Sequence, residues 1–280
     1  MQGFKWPLHF IDFETSAVAI PFNERRRPYE VVAFQFSHHV VYEDGRIEHV
    51  DEYLNTDVGV FPNFEFVRRL KASLENDEGT VFRYATHENT VLNQIKVQLE
   101  NSVEEIPDRI KLIEWIRTLT RDSKTGWQGH RDMVDLCDLV KKYYFQLDMG
   151  GSNSIKKVLP AILNSSDFLK EKYSRPIYNS QNFQNQAWIE FDADGRVKDP
   201  YKQLPPVFSD VSQDDLEHVE TEEMLADGGA AMTAYARLQF SDVPEVERMA
   251  TCQALLRYCE LDTLGMVMIW EAWQDIISGR

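Results

Sequence analysis

The stretch that decides the fold is Leu8-His9-Phe10-Ile11-Asp12-Phe13-Glu14, near the start of the chain. Its nearly continuous apolar character predicts a buried β-strand. Asp12 and Glu14 stand two positions apart, so both side chains leave the same face of that strand. Two carboxylates so close repel each other unless a cation lies between them, and hard ions such as Mg²⁺ and Mn²⁺ prefer oxygen ligands. Because solvating charge is unexpected at the end of an apolar strand, we interpret the two acids as a metal-binding pair; one exposed acid beside one paired acid is the alternative.

Further strands and helices follow this first strand. Strands are predicted at Glu30–Tyr42 and Arg46–Leu54, joined by a turn at Asp44-Gly45, and a fourth strand at Gly79–Ala85. Helical spacing predicts helices over Phe64–Leu74 with Asn63 as its cap, Asn89–Leu99, Ile106–Leu119, Met133–Phe145, and from Ser152 or Ser154 to Leu163. Strands that lead and helices that follow predict an α/β domain with a mixed β-sheet flanked by helices.

The last predicted helix has the clearest pattern. Ser241 or Asp242 is its expected cap, and Pro244 lies in its first turn. A stripe at alternating three and four spacing is expected to face the core: Met249, Cys252, Leu256, Cys259, Thr263, Met266, Trp270 and Trp273. Gly265 in mid-helix costs about 1 kcal/mol relative to Ala, so we expect another element to pack closely there.

We expect one domain over residues 1–280, with a polar, irregular insertion at 173–227. The insertion is too poor in apolar residues for a second core. Its end, Ser209 to Asp227, holds eight acidic residues and no Lys or Arg. This segment is interpreted either as a solvated surface loop or as an acidic flap that mimics nucleic acid or contacts a partner.

Composition limits the class of protein. The chain has 280 residues, 43% of them hydrophobic, and 30 basic against 46 acidic side chains give a net charge of −16. This composition disfavours disorder, collagen-like repeats and coiled-coil rods, and no apolar run approaches the roughly 20 residues that a membrane span needs. Cys137, Cys252 and Cys259 form no C-x-x-C pair, and we expect free thiols and a cytoplasmic protein.

Two further acids complete a candidate site. Glu88 follows the fourth strand where a helix begins, although a first-turn acid that complements the helix dipole is the alternative interpretation. Asp262 lies on the last helix, one turn after Tyr258. Acids from two strand ends and a late helix suit a two-metal centre, which cleaves a phosphodiester by in-line attack of water.

This arrangement resembles the DEDDy 3′–5′ exonucleases of the ribonuclease H-like superfamily. The resemblance is closer to one bacterial branch, the domain-of-unknown-function family 2779, whose members are often appended to RecB-like nuclease domains. The stretches that carry it run in family order along nearly the whole chain: His9 to Thr15, Arg27-Pro28-Tyr29, Phe34 to His39, Tyr84 to Leu92, Met133 to Leu136, Gly151 to Pro160, Gly228 to Ala231, and Tyr258 to Thr263.

The resemblance implies a ribonuclease H-like fold and a metal-dependent nuclease that uses two Mg²⁺ or Mn²⁺ ions. In that case Asp12 bridges both ions, Glu14 and Asp262 complete one coordination shell, and Glu88 holds the other. Tyr258 then orients the attacking water. This chain has His87-Glu88 where the broader exonuclease group has an Asp after an aromatic, so Asp135 is the alternative third acid.

The implied substrate is single-stranded DNA or RNA, cleaved from its 3′ end. Phosphate contacts are expected from Arg25, Arg26, Arg27, Lys156 and Lys157, unless these only keep the surface soluble. A RecB-like nuclease domain is the expected fusion or partner. The alternative function is a catalytically weak or inactive nucleic-acid-binding or scaffolding module on the same fold. DNA versus RNA and the oligomeric state are left open.

Overall fold

The computed structural model describes residues 3–204 and 229–279. Five strands form one mixed sheet in the order β3-β2-β1-β4-β7. Their bounds are β1 Leu8–Ser16, β2 Val32–Val41, β3 Ile47–Leu54, β4 Val81–Arg83 and β7 Val134–Asp135, and a separate hairpin pairs β5 Arg121–Asp122 with β6 Trp127–Gln128. β1 pairs antiparallel with β2 and parallel with β4, and β4 pairs parallel with β7. The predicted α/β class with a mixed sheet is therefore confirmed.

Eight α-helices are described within these residues. They are α1 Asn63–Leu74, α2 His87–Asn101, α3 Arg109–Leu119, α4 Leu136–Tyr143, α5 Ile155–Ser165, α6 Asp167–Tyr173, α7 Ala230–Phe240 and α8 Glu245–Ser278. Short 3₁₀ turns lie at Leu147–Met149 and Pro200–Gln203. In the described ranges, no helix has the length and apolar composition of a membrane span.

β1 separates two hydrophobic clusters because its side chains alternate between the faces of the sheet. Ile11 and Phe13 pack with helices α1 to α3, whereas Leu8 and Phe10 pack with α4 to α6 and α8. Even-numbered residues of β1 therefore face α8. This alternation directs Asp12 and Glu14 to the side of the sheet that α8 covers.

Three local predictions were wrong in detail. Asn63 is the first residue of α1 and not its cap; its buried amide accepts from the Ala33 amide at 2.7 Å and donates to the Val31 carbonyl at 2.9 Å, which ties α1 to the start of β2. The helix expected from Met133 begins at Leu136, because Val134 and Asp135 pair with β4. α8 begins directly after Pro244, so neither Ser241 nor Asp242 caps it.

Helix α8 is not a one-sided amphipathic helix. Met249, the first member of the predicted stripe, is 65% exposed, whereas every residue from Cys259 to Trp270 is buried. The expected close approach at Gly265 is confirmed: a Cβ there would lie 3.0 Å from Cδ2 of Leu159 and 3.5 Å from Cδ1 of Ile155. The sheet covers one side of this helix and α5 the other.

The described part of the insertion, 173–204, has an irregular backbone apart from Tyr173 at the end of α6 and the 3₁₀ turn, but it contributes to the main core. Tyr178, Phe183 and Trp188 are buried in the cluster that also holds α5 and α8. The few apolar residues of the insertion complete the existing core. The acidic stretch Ser209 to Asp227 lies outside the described residues.

Candidate metal centre

Three of the predicted acids converge between β1 and α8. One carboxylate oxygen from each of Asp12, Glu14 and Asp262 lies within 4.8 Å of the others. The pleat of β1 presents the first two on one face, and α8 crosses that face with Asp262 directed at them. Asp12 and Glu14 are only partly buried, so the cluster keeps an accessible edge. Three carboxylates at this spacing form an oxygen-rich site of the kind that Mg²⁺ or Mn²⁺ binds.

Glu88 is the second residue of α2 and is 1% exposed. Ala85, three residues earlier, has a left-handed φ of 66°, an uncommon conformation for a residue with a Cβ that turns the chain from β4 into α2. The negative charge of Glu88 contributes to the raised pKa of Asp12, which places the two carboxyl groups close enough to interact. Within the described residues, Oε2 of Glu88 has no hydrogen-bond partner. A buried carboxylate oxygen without a hydrogen-bond partner beside other acids is suited to binding a cation.

Asp135 lies outside the group of three acids, as Glu88 does, although its charge contributes to the raised pKa of Glu88. Its carboxylate accepts from Nη1 of Arg83 at 2.8 Å, from the Ala85 amide at 3.0 Å and from the Asp138 amide at 3.2 Å. The last contact makes it the cap of α4. Asp135 therefore fixes the turn that carries Glu88, with both of its oxygens already in hydrogen bonds.

The electrostatics of the cluster disfavour the state in which all four acids are ionised. Burial, followed by repulsion from Asp262, raises the pKa of Glu14 to about 8, against the opposing effect of Lys156. Burial also raises the pKa of Glu88 to about 8. The pKa of Asp12 lies well above its usual value because of burial and the charges of its three acidic neighbours. Without a cation, the protein holds protons here at neutral pH; divalent ions would displace them.

Two tyrosines approach Asp262, and one of them was not predicted. The hydroxyl of Tyr201, a buried residue of the 3₁₀ turn in the insertion, donates to Oδ1 of Asp262 at 2.5 Å. The predicted Tyr258 is partly buried, and its pKa is raised by burial and then by the charge of Asp262, so its hydroxyl also lies near the cluster. The sequence signal for Tyr201 was weak: an aromatic residue after Asp199-Pro200 in a polar run, where Asp199 caps the turn.

The predicted phosphate-binding residues separate into two groups. Two observations place Lys156 close to the acid cluster. Its charge lowers the pKa of Glu14, and its Nζ is 5.5 Å from the centre of the Tyr201 ring. Lys157 is exposed on the first turn of α5. Arg25, Arg26 and Arg27 lie in the loop before β2, where Arg25 and Arg27 are exposed.

Arg26 is engaged within the protein. Its guanidinium lies 3.5 Å from the centre of the Phe61 ring and pairs with Glu104 at 2.9 Å and Glu30 at 3.7 Å. Arg26 thus holds its loop against the domain, whereas the exposed side chains of Arg25 and Arg27 are accessible to a ligand.

A second group of possible ligands lies on β3 and the other side of α8. His49, Glu52 and Glu260 each place one ligand atom within 4.8 Å of the others. Here the acids already have donors: Asn182 donates to Glu52 at 2.7 Å and to Glu260 at 2.8 Å, and Tyr178 also donates to Glu260. The insertion therefore satisfies this cluster with its own polar groups.

The comparisons with known proteins agree with the resemblance in part. No curated protein and no solved structure matches the chain. The family model described as "Domain of unknown function (DUF2779)" matches residues 9–154, a segment that contains Asp12, Glu14, Glu88 and Asp135 and ends just before α5. Because this match covers more than half of the sequence, the chain belongs to the DUF2779 family.

Proposed function

We propose that this protein is a metal-dependent nuclease with a ribonuclease H-like fold, which removes nucleotides from the 3′ end of single-stranded DNA or RNA. The observation that carries the proposal is the convergence of Asp12, Glu14 and Asp262 beside a buried Glu88 oxygen that has no hydrogen-bond partner among the described residues. Such a group of acids is unfavourable without cations. The mixed sheet, with antiparallel strands on one side of β1 and parallel strands on the other, is consistent with the proposed fold.

Asp12, Glu14, Asp262 and Glu88 are the residues that would hold two Mg²⁺ or Mn²⁺ ions. Bound ions of this kind polarise the phosphoryl oxygen and lower the pKa of the attacking water. Asp12, Glu14 and Glu88, whose pKa values are raised by burial and by neighbouring negative charges, would give up their protons when the ions bind.

The other side chains of the site position the reacting groups. Lys156 supplies the positive charge nearest to Glu14 and would face the anionic phosphate. Tyr258, one helical turn before Asp262, would offer its hydroxyl to the attacking water. Asp135 and Arg83 support the turn before Glu88, so they act through its position rather than on substrate.

One observation favours the alternative of a binding module with little or no catalysis. The Tyr201 hydroxyl donates to Oδ1 of Asp262, so one of the two oxygens that could bind an ion is already hydrogen-bonded. If the phenol stays there when a strand is bound, coordination of the second ion is weakened. The two functions differ in turnover, not in their ability to bind nucleic acid.

The experiment combines cleavage with metal binding. Oligonucleotides labelled at the 5′ end, one DNA and one RNA, are incubated with pure protein and Mn²⁺ or Mg²⁺, with EDTA as the blank. We expect a ladder of products shortened from the 3′ end. Asp12→Asn and Asp262→Asn should abolish it and weaken Mn²⁺ binding in calorimetry, whereas the surface control Glu48→Gln should change neither. Intact strands in the presence of bound Mn²⁺ would refute the nuclease and support the binding module.

A further inference from the structure

A large groove lies beside the acid cluster, and the proposed chemistry does not use it. It has a volume of about 1520 Å³ and runs between the 25–31 loop, helix α2 and the β5–β6 hairpin. Thr86 and Asn89, which flank His87-Glu88, are among its lining residues. One end of the groove is therefore formed by the same turn of α2 that carries Glu88.

The groove is basic in an acidic protein. Six basic side chains line it against three acidic ones, Glu30, Glu104 and Asp122, which leaves a local charge of +3 in a chain of net −16. The basic residues are Arg25, Arg26, Arg27, Lys96, Arg121 and Lys124. A positive channel on such a background attracts a polyanion locally while the rest of the surface repels it.

Two aromatic side chains on opposite walls are exposed. Tyr29 is 71% exposed and Trp127 is 39% exposed. The indole of Trp127 is held in place: its Nε1 donates to the Arg117 carbonyl at 3.0 Å, and the Arg117 guanidinium lies 4.0 Å from the ring centre. A fixed aromatic face with one side open is suited to stacking against a base.

The backbone at Tyr29 is strained. Its φ is 59°, in the left-handed region that costs a non-glycine residue about 1–3 kcal/mol. Arg25, in the same loop, also has a left-handed φ, of 62°. The Tyr29 amide donates to the Val18 carbonyl at 2.8 Å, so the loop is held in this conformation with the aromatic ring exposed.

We infer that this groove binds a single-stranded polynucleotide, with phosphates against Arg27, Arg121 and Lys124 and bases stacked on Tyr29 and Trp127. Paired bases are already stacked on each other, so the two rings select a strand whose bases are free. The inference rests on the proposed function only in one respect, the direction in which the polynucleotide runs along the groove. Its 3′ end would point toward the acids beside Glu88. Binding itself needs neither metal nor catalysis.

The test measures binding without metal, so that it succeeds or fails separately from the nuclease assay. A 5′-fluorescein-labelled dT20 is titrated with the full chain in EDTA, and the anisotropy is followed at several salt concentrations. Reversing two groove charges with Arg121→Glu and Lys124→Glu should weaken binding by at least about tenfold and reduce the salt slope by about 1.4, since each single-strand phosphate contact contributes about 0.7. The control Lys141→Glu, on α4 outside the groove, should leave the affinity close to that of the wild type.

A second variant separates binding from folding. Tyr29→Gly removes the ring and also relieves the left-handed strain, so the melting temperature should rise while the affinity for dT20 falls about tenfold.

Equal affinity of the wild type, the double charge reversal and Tyr29→Gly would overturn the groove assignment. So would equal binding of blunt duplex DNA, or of poly-glutamate in place of dT20. Loss of cleavage in Asp12→Asn tests only the nuclease proposal; groove-dependent binding without any cleavage by the wild type would keep this inference and reject that proposal.

Discussion

Glu14 is the residue at which the crowding of carboxylates can be measured most directly. Its pKa is raised to about 8 from an ordinary value of 4.5, because of burial and the charge of Asp262. At pH 7 the folded, metal-free protein therefore holds a proton on this group that the unfolded chain has released. Holding a proton 2.5 pH units above the ordinary pKa costs about 3 kcal/mol. Glu14→Gln keeps the shape of the side chain and removes this cost.

We expect metal-free Glu14→Gln to be more stable than the wild type by up to about 3 kcal/mol, or about 6 °C or more in melting temperature for a domain of this size. Saturating Mn²⁺ should reduce this difference. An ion at 100 times its dissociation constant stabilises the wild type by about 2.7 kcal/mol, whereas the variant has lost a ligand and gains less. Thermal melts in EDTA and in Mn²⁺, with Glu48→Gln as a control for loss of one surface charge, measure both effects.

The pH dependence has a defined sign. A carboxyl whose pKa is raised on folding adds no penalty below about pH 4.5, where both states are protonated, and its penalty grows until the pH passes the folded value of about 8. The stability of the metal-free wild type should thus fall as pH rises from 5 to 8, with a smaller slope in Glu14→Gln. A variant that is less stable than the wild type in EDTA, or a wild type whose melting temperature ignores Mn²⁺, would refute the electrostatic argument.

Three other substitutions test the packing around the site. Gly265→Ala should lower the free energy of unfolding in urea, because overpacking against Leu159 costs about 1–3 kcal/mol and exceeds the gain of about 1 kcal/mol in helix propensity; an unchanged midpoint would show that Leu159 moves freely. Tyr201→Phe removes the hydrogen bond to Oδ1 of Asp262, so calorimetry should show tighter Mn²⁺ binding although metal-free stability falls by about 1–2 kcal/mol; weaker Mn²⁺ binding would mean that the phenol supports the site. Asn63→Ala leaves the buried Ala33 amide of β2 without its acceptor and should cost about 1–3 kcal/mol in the same urea titration; a loss below 1 kcal/mol would contradict that role.

The strands and the acid pair could be predicted because their signal is local. Alternation along β1 sets which residues share a face, so Asp12 and Glu14 follow from sequence spacing alone. Asp262 was found because it lies on a helix with a strong apolar pattern. Sequence spacing could not predict how closely α8 approaches β1, because that depends on how α8 crosses the sheet.

β7 was missed because its signal is not local. It has two residues, Val134 and Asp135, and exists only through its pairing with β4. The helical pattern that begins at Leu136 was extended over it. The same oversight left Asp135 open as a metal ligand, although its carboxylate accepts from Arg83 and from the amides of Ala85 and Asp138 and so has a structural role.

The insertion was predicted to be polar and irregular from its composition. Composition does not show whether its few aromatic residues are buried. Trp188 is fully buried, and Tyr201 reaches the acid cluster, although the segment around them is polar. A segment with too few apolar residues for a core of its own can still bury each of them in the core of the domain that carries it. The position of Tyr201 depends on that docking, so no local pattern could have shown it.

Helix α8 carries two buried carboxylates, and the contrast between them argues for the metal centre. Glu260 faces the insertion and accepts from Tyr178 and Asn182, so protein donors compensate for its removal from water. Asp262 faces β1, where the neighbouring Asp12 and Glu14 are themselves acids with raised pKa values. Asp262 also accepts from the Tyr201 hydroxyl, yet the fold places two further acids against it, where Glu260 meets donors from the insertion. The mutual repulsion of these acids lowers stability in the absence of a cation, and a bound divalent cation would offset it.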